Sequence, residues 1–297
     1  MIVLNAKKNL IRNTGRQLFY TGPAISIFAA VMIVPFVYGI YLTFFKWDGI
    51  ASEMPFVGMA NYLDVFRDEA FWKSMALTLR YVVVSVLLIN GIGFMLSYLL
   101  VTWMKRQNFL RASFFAPSLI GGLVLGFLWQ FIFHNFFVKI GDQFGWELFS
   151  KSWLGNEKMA FWALVVVTVW HYAGYMMVIF IAGLMNVPKD IMEAATIDGA
   201  GKWKQLLRMI LPLMVPSFIV TIFLSLQRSF MVYDLNFALT EGGPYGSTVM
   251  TSMHVFDKAF RSYNYGLGQA EAFVLFLIVA IITITQVYFS KKMEVEH

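Results

Sequence analysis

The chain has 297 residues, of which 59 % are apolar and only 13 % are Asp, Glu, Lys or Arg, and its net charge is +6. Soluble domains carry about a quarter charged residues and could not hide so much apolar surface, so the composition asks for lipid as its solvent. The basic balance is then a matter of membrane topology rather than of nucleic-acid binding, and the absence of cysteine excludes disulfides, thiolate centres and Cys-ligated metals.

Six apolar runs follow one another, at about 20–45, 77–103, 112–138, 159–186, 210–233 and 268–289. Each exceeds the ~20 residues that cross a bilayer core at a rise of ~1.5 Å per residue. The first run follows Lys7, Lys8, Arg12 and Arg16, as a secretory signal would. It is too long for a signal core and no small-residue cleavage site closes it, so it reads as a retained signal-anchor helix.

Placing the N-terminus in the cytoplasm assigns thirteen of the 23 Lys and Arg residues to inner segments: Lys7, Lys8, Arg12, Arg16, Lys105, Arg106, Arg111, Lys189, Lys202, Lys204, Arg208, Lys291 and Lys292. Eight fall in longer outer segments, and Arg80 and Arg228 fall within spans. This bias predicts both termini inside. In the third span Gly122 and Gly126 form a G-x-x-x-G, which either marks close helix packing or is chance in a glycine-tolerant helix.

Trp170, His171 and Tyr175 fall near the middle of the fourth span. They read either as core packing or as part of a substrate path. Between spans four and five lies PKDIMEAATIDGAGKWKQLLRMILPLMVP, polar enough to leave the membrane and on the positive side. Pro188 suits a helix start, Asp190 and Glu193 suit the positive end of its dipole, and Asp198-Gly199 breaks it. A second amphipathic stretch then returns to the membrane at Pro212. By itself this is a surface loop joining two spans or a helical hairpin offered to another surface, with Ala194 and Ala195 permitting close approach.

Charges inside spans are costly and mark candidates for function. Arg228 and Glu271 lie at similar depths near the outer ends of spans five and six. They predict either a buried ion pair or a polar lining at the mouth of a pathway, joined by Gln227, Tyr233, Asp234 and Asn236. No nucleophile–base arrangement and no metal-ligand spacing occurs, and the four histidines are far apart in sequence. No G-x-x-x-x-G-K-[ST] occurs either, so the sequence carries no phosphate-binding loop of that kind.

The segment from Glu193 resembles the E-A-A-x3-G-x9-I-x-L-P signature of permease subunits of binding-protein-dependent ABC importers. Glu193, Ala194, Ala195, Gly199, Leu211 and Pro212 match in register, with Met209 in place of Ile. Tyr233, Asp234, Gly242, Gly243, Pro244, Ser247 and Thr248 are similar to that family's outer loop before the last span. Gly58, Asn61, Tyr62, Phe71, Trp72 and Thr78 are similar to the loop before its second span. The resemblance is strongest to the carbohydrate-uptake branch of the shorter, multiple-sugar type. It implies an all-α membrane protein of the ABC importer type I permease fold, one permease domain over 1–297, with six transmembrane helices and a cytoplasmic coupling helix within 187–209. It further implies a prokaryotic inner-membrane location and a sugar substrate. The implied partners are a second homologous permease, two ATP-binding subunits and an extracytoplasmic solute-binding protein. ATP and magnesium would sit on the ATP-binding subunits, with no cofactor or metal on this chain. The rival expectation, a secondary transporter driven by an ion gradient, wants acidic residues deep in the spans. Only Glu271 qualifies.

Overall fold

A computed structural model describes residues 20–103 and 107–292. Lys7, Lys8, Arg12, Arg16, Lys105 and Arg106 therefore lie outside the described residues. Among the described residues regular structure is helical, apart from an isolated bridge between Phe45 and Phe56. The helices are α1 (Tyr20–Leu42), α2 (Ala60–Arg67), α3 (Glu69–Trp103), α4 (Gln107–Phe115), α5 (Gly122–Phe144) and α6 (Glu157–Met185). They continue with α7 (Lys189–Ile197), α8 (Lys202–Leu213), α9 (Val215–Phe230), α10 (Asp234–Thr240), α11 (Thr251–Phe256) and α12 (Tyr265–Lys291). Five of them, α1, α3, α5, α6 and α12, are long and apolar enough to cross a membrane, and α8 with α9 makes a sixth span when the bent pair is taken as one.

Contacts divide the chain into two compact units, one formed by the residues up to Arg67 with Asp257–Phe273, the other by Asp68–Phe256 with the remainder of the chain from Val274. In the first unit α1 is apolar throughout, and only 6 % of its apolar window is buried. Such a helix in water would be untenable; in lipid its exposed Val31, Val34 and Val37 are ordinary. The turn after α1 is held by Asn61, which is buried and donates its side-chain amide to the carbonyls of Thr43 (2.8 Å) and Phe45 (2.9 Å). Further along, Asp48 accepts the N–H groups of Ile50 (2.8 Å) and Ala51 (2.7 Å). These donors hold its carboxyl below the ordinary value of 3.8.

In the second unit α6 is the central helix, with 67 % of its apolar window buried. Inter-helix polar contacts fix its register and that of its neighbour. Tyr81 on α3 and Thr168 on α6 share a hydrogen bond of 2.6 Å, and Asn90 on α3 donates to Ser225 on α9 at 2.8 Å. Such bonds contribute about 1 kcal/mol each between membrane helices.

Two spans differ from the sequence expectation. The third apolar run, expected as one helix over 112–138, is broken: α4 ends at Phe115, a 3-10 turn covers Ala116–Leu119, and Ile120 and Gly121 are extended before α5 begins. Pro117 cannot donate a backbone hydrogen bond and disfavours helix in the residue before it, which breaks the run at this point. The fifth, expected at 210–233, is α8 and α9 meeting at 68°. Pro212 and Pro216 flank the bend, and Met214 at its corner is fully buried. Before Pro212 the helix widens to a π turn over Leu206–Ile210, with the Leu211 N–H reaching the Leu206 carbonyl. This is one way a helix accommodates a proline that clashes with the preceding turn.

Of the two glycines Gly126 serves close packing, against the short α10 rather than a second long span. A Cβ on Gly126 would lie 2.5 Å from that of Ala238, whereas one on Gly122 would meet Asp234 at an ordinary 3.4 Å.

Candidate coupling surface and translocation cavity

The segment after α6 folds as the helical hairpin its punctuation predicts. Pro188 is the N-cap of α7 and Asp190 lies in its first turn. At the other end Gly199 is left-handed (φ 75°), the Ala200 N–H donates to the Ala195 carbonyl (2.9 Å) and the Gly199 N–H to the Thr196 carbonyl (3.1 Å). This is the Schellman arrangement, which satisfies carbonyls that the helix end would orphan and requires a residue that tolerates positive φ. Asp198-Gly199 is thus a helix stop with a defined mechanism. Gln205 on α8 closes the hairpin, donating to the Thr196 hydroxyl (3.1 Å) and the Ala200 carbonyl (2.8 Å).

The two alanines do different things. Ala195 is 2 % exposed and packs inward, which corrects the expectation that both alanines face a partner. Asp190, Glu193, Ala194 and Ile197, spaced at helical i, i+3, i+4 and i+7, lie on the exposed side. Ile197 is 86 % exposed and Trp203, just beyond the turn, 76 %. Large apolar side chains exposed together at the tip of a polar hairpin mark an interaction surface. Leu211 and Pro212 are half-buried within α8, at the π turn, and belong to the joint between hairpin and span rather than to the exposed face.

The break between α4 and α5 opens a polar cavity of about 320 Å³ in the second unit. Its wall includes Ser118, Ile120 and Gly121 from the break, His171 and Tyr172 from α6, Arg228 from α9, and Tyr233 and Asp234 at the start of α10. Non-helical backbone at membrane depth is tolerated only where it is buried in protein or lines a cavity. The Ile120 carbonyl, released from the helix ladder, lies 3.1 Å from His171 Nε2. A carbonyl only accepts, so Nε2 carries the proton of that bond and Nδ1 of the neutral ring is an acceptor. Among the described residues that buried Nδ1 has no hydrogen-bond partner. The His171 ring stacks on Tyr172 at 4.2 Å, and the Arg228 guanidinium lies 5.1 Å from the centre of the same tyrosine ring. Aromatic faces, a guanidinium donor and carboxylate and imidazole acceptors thus converge on one space, a combination suited to a polyhydroxylated ligand.

Of the residues picked from the sequence as substrate-path candidates, the cavity collects His171, Arg228, Tyr233 and Asp234. Trp170 is set apart: one position along α6 turns a side chain by about 100°. Trp170 accordingly packs against Trp129 (5.4 Å) beside an apolar groove. Tyr175 stacks on Phe115 (6.1 Å), and Gln227 is exposed beyond the lining. Asn236 is wholly buried, donates to the Thr248 carbonyl (2.7 Å) and accepts from the Thr240 hydroxyl (2.8 Å). Thr248 in turn donates to the Gly243 carbonyl (2.9 Å), so Asn236 is the scaffold of the Gly242–Thr248 loop and not a path residue. Arg228 and Glu271, expected as a possible pair, each have a neighbour of their own. Arg228 lies over Tyr172, and fully buried Glu271 faces Lys258 Nζ at 3.9 Å. Tyr172 was missed by sequence reasoning. It adjoins His171, and nothing but its helix face distinguishes it from Trp170.

Helices long and apolar enough to cross a membrane, a broken helix around a polar cavity and an exposed hairpin are features that suit a membrane transport protein. Its class is settled by comparison: the chain belongs to the family of binding-protein-dependent transport system inner membrane components, whose pattern matches residues 89–295. Relatives include the "Probable starch degradation products transport system permease protein AmyD" of Thermoanaerobacterium thermosulfurigenes, 39 % identical over 292 residues, 98 % of this chain and 99 % of that one. The "Multiple sugar-binding transport system permease protein MsmF" of Streptococcus mutans is 32 % identical, covering 93 % and 97 % of the two chains. Among solved structures, a chain of a bacterial ABC transporter involved in the import of the acidic polysaccharide alginate superposes with a TM-score of 0.80 at 18 % identity, covering 96 % of this chain and 99 % of that one. That likeness shows the fold. The chain is thus a multi-pass membrane permease of the ABC importer type.

Proposed function

We propose that this chain is one of two permease subunits of an ATP-driven importer for a sugar or oligosaccharide, working by alternating access. A second related permease, two ATP-binding subunits that hold ATP and magnesium, and an extracytoplasmic binding protein complete the assembly. The relatives named for starch products and multiple sugars support the sugar, and so do the hydroxyl-matching groups of the cavity. Both termini lie in the cytoplasm, as the distribution of Lys and Arg favours. The chain has no catalytic role of its own.

The observation that carries the reading is the exposed α7 hairpin, with Glu193, Ala194 and Ile197 outward and its stop built on Gly199. It meets the ATP-binding subunits and passes their closure through Leu211 and Pro212 to α9. The substrate passes the cavity of His171, Tyr172, Arg228, Tyr233 and Asp234. In reconstituted vesicles holding the purified assembly, uptake of radiolabelled sugar should require both lumenal ATP and external binding protein. Uptake driven by a proton or sodium gradient without ATP contradicts the reading and reinstates a secondary transporter.

A further inference from the structure

Away from the polar cavity, and independent of any role for it, an apolar groove of about 450 Å³ lies between α3 and α8 in the second unit. Phe94, Met95, Tyr98 and Leu99 form one wall, and Trp203 and Leu206 form the other, with Lys202 at the rim. Met95, Leu99 and Trp203 are 53 %, 42 % and 76 % exposed, so this apolar surface is not used within the chain. We infer that the groove is a binding site for one anionic phospholipid, its acyl chain between α3 and α8 and its phosphate at Lys202.

Depth and charge both select this occupant. Phe94 to Leu99 belong to the helix that is long and apolar enough to cross a membrane, and Phe94 is nine residues, roughly 14 Å of rise, from its end at Trp103. A water-soluble ATP-binding subunit does not reach there, whereas an acyl chain does. At the mouth the groove carries a cation, Lys202, beside Trp203. Lys204 and Arg208 are exposed on the same helix but, at ~100° per residue, face away from the groove. An ammonium beside a tryptophan at the end of an apolar span is the chemistry that attracts an anionic headgroup, while the indole sits at headgroup level. The groove's position gives the lipid a consequence. Gln205, whose amide clamps α7, lies between Trp203 and Leu206, so a lipid filling the groove braces the base of the coupling hairpin.

The test uses the complete assembly in nanodiscs of phosphatidylcholine carrying a small fraction of a photoactivatable lipid, either phosphatidylglycerol or phosphatidylcholine with the reactive group in the acyl tail. After illumination the labelled peptides are mapped by mass spectrometry. The phosphatidylglycerol probe should label residues 95–99 and 203–206 several-fold more than the phosphatidylcholine probe, and Lys202→Gln should abolish that preference. Equal labelling by the two probes in the wild-type assembly overturns the site, as does a preference that survives Lys202→Gln. If neither probe labels the groove and a thiol crosslinker on Met95→Cys in this cysteine-free chain captures the second permease instead, the groove is a subunit interface and the inference fails. Should Lys202→Gln not assemble, the wild-type comparison of headgroups still decides.

Discussion

The side-chain amide of Gln205 donates to the hydroxyl of Thr196 at 3.1 Å, tying the base of α8 to the last turn of α7. With the Ala200 carbonyl as second acceptor, this one side chain makes a rigid lever of two helices separated by a left-handed glycine. A lever transmits force only if its corner does not yield, and that ties the local geometry of the hairpin to the energetics of transport.

Gly199→Val should therefore uncouple the importer. A β-branched residue in left-handed conformation costs about 1–3 kcal/mol, although the space around the position is open. Binding-protein-stimulated ATPase of the purified assembly should fall several-fold with subunit stoichiometry unchanged, and Gln205→Ala should produce a milder loss in the same direction.

Close packing of α5 on α10 predicts a contrast between the two glycines of the third span. Gly126→Leu should displace α10 and lower the yield of assembled complex, because the backbone is already too near Ala238 for a Cβ. Gly122→Ala, where the new atom makes an ordinary contact, should assemble as the wild type does on gel filtration.

The cavity separates neighbours on α6. Tyr172→Ala and Arg228→Ala should reduce uptake by an order of magnitude or more while leaving the amount of assembled complex unchanged, since both line the cavity. Trp170→Ala should leave the apparent KM for uptake unchanged, since Trp170 faces the apolar groove. A loss of KM discrimination confined to Trp170→Ala would place the substrate on the other face of the helix.

The loop at Asp48 should respond to acid. Its carboxylate accepts two backbone N–H bonds and its pKa is lowered. The charged form is favoured in the folded loop, so the contribution to loop order is complete above the ordinary carboxylate pKa and is lost as pH falls through the lowered value. Amide exchange at Ile50 and Ala51, compared at each pH with Asp48→Asn, should show protection in the wild type near neutrality that disappears on strong acidification.

Much of this was legible in the sequence, for physical reasons that differ from residue to residue. The coupling hairpin could be read because Pro188, Asp198-Gly199 and Pro212 are punctuation whose backbone chemistry acts locally. The spans could be read because lipid demands length and apolarity. The breaks at Pro117 and Met214 do not show in apolarity, and the prolines beside them do not settle the matter, because membrane helices tolerate proline and an interruption persists where a cavity or a buried corner accommodates it. Helix face is likewise hidden, so the sequence does not separate Trp170 from Tyr172. Asn236 looked like a path residue because a polar group at the end of a span reads the same whether it faces substrate or satisfies a loop carbonyl.

The most direct test of the central claim is to tag this chain, solubilise its native membrane gently and identify by mass spectrometry what co-purifies. The account predicts a second, related six-span permease and an ATP-binding subunit in stoichiometric amounts, with the ATP-binding subunit lost when the α7 hairpin is deleted. A chain recovered alone that still carries substrate across a reconstituted membrane without ATP would contradict it.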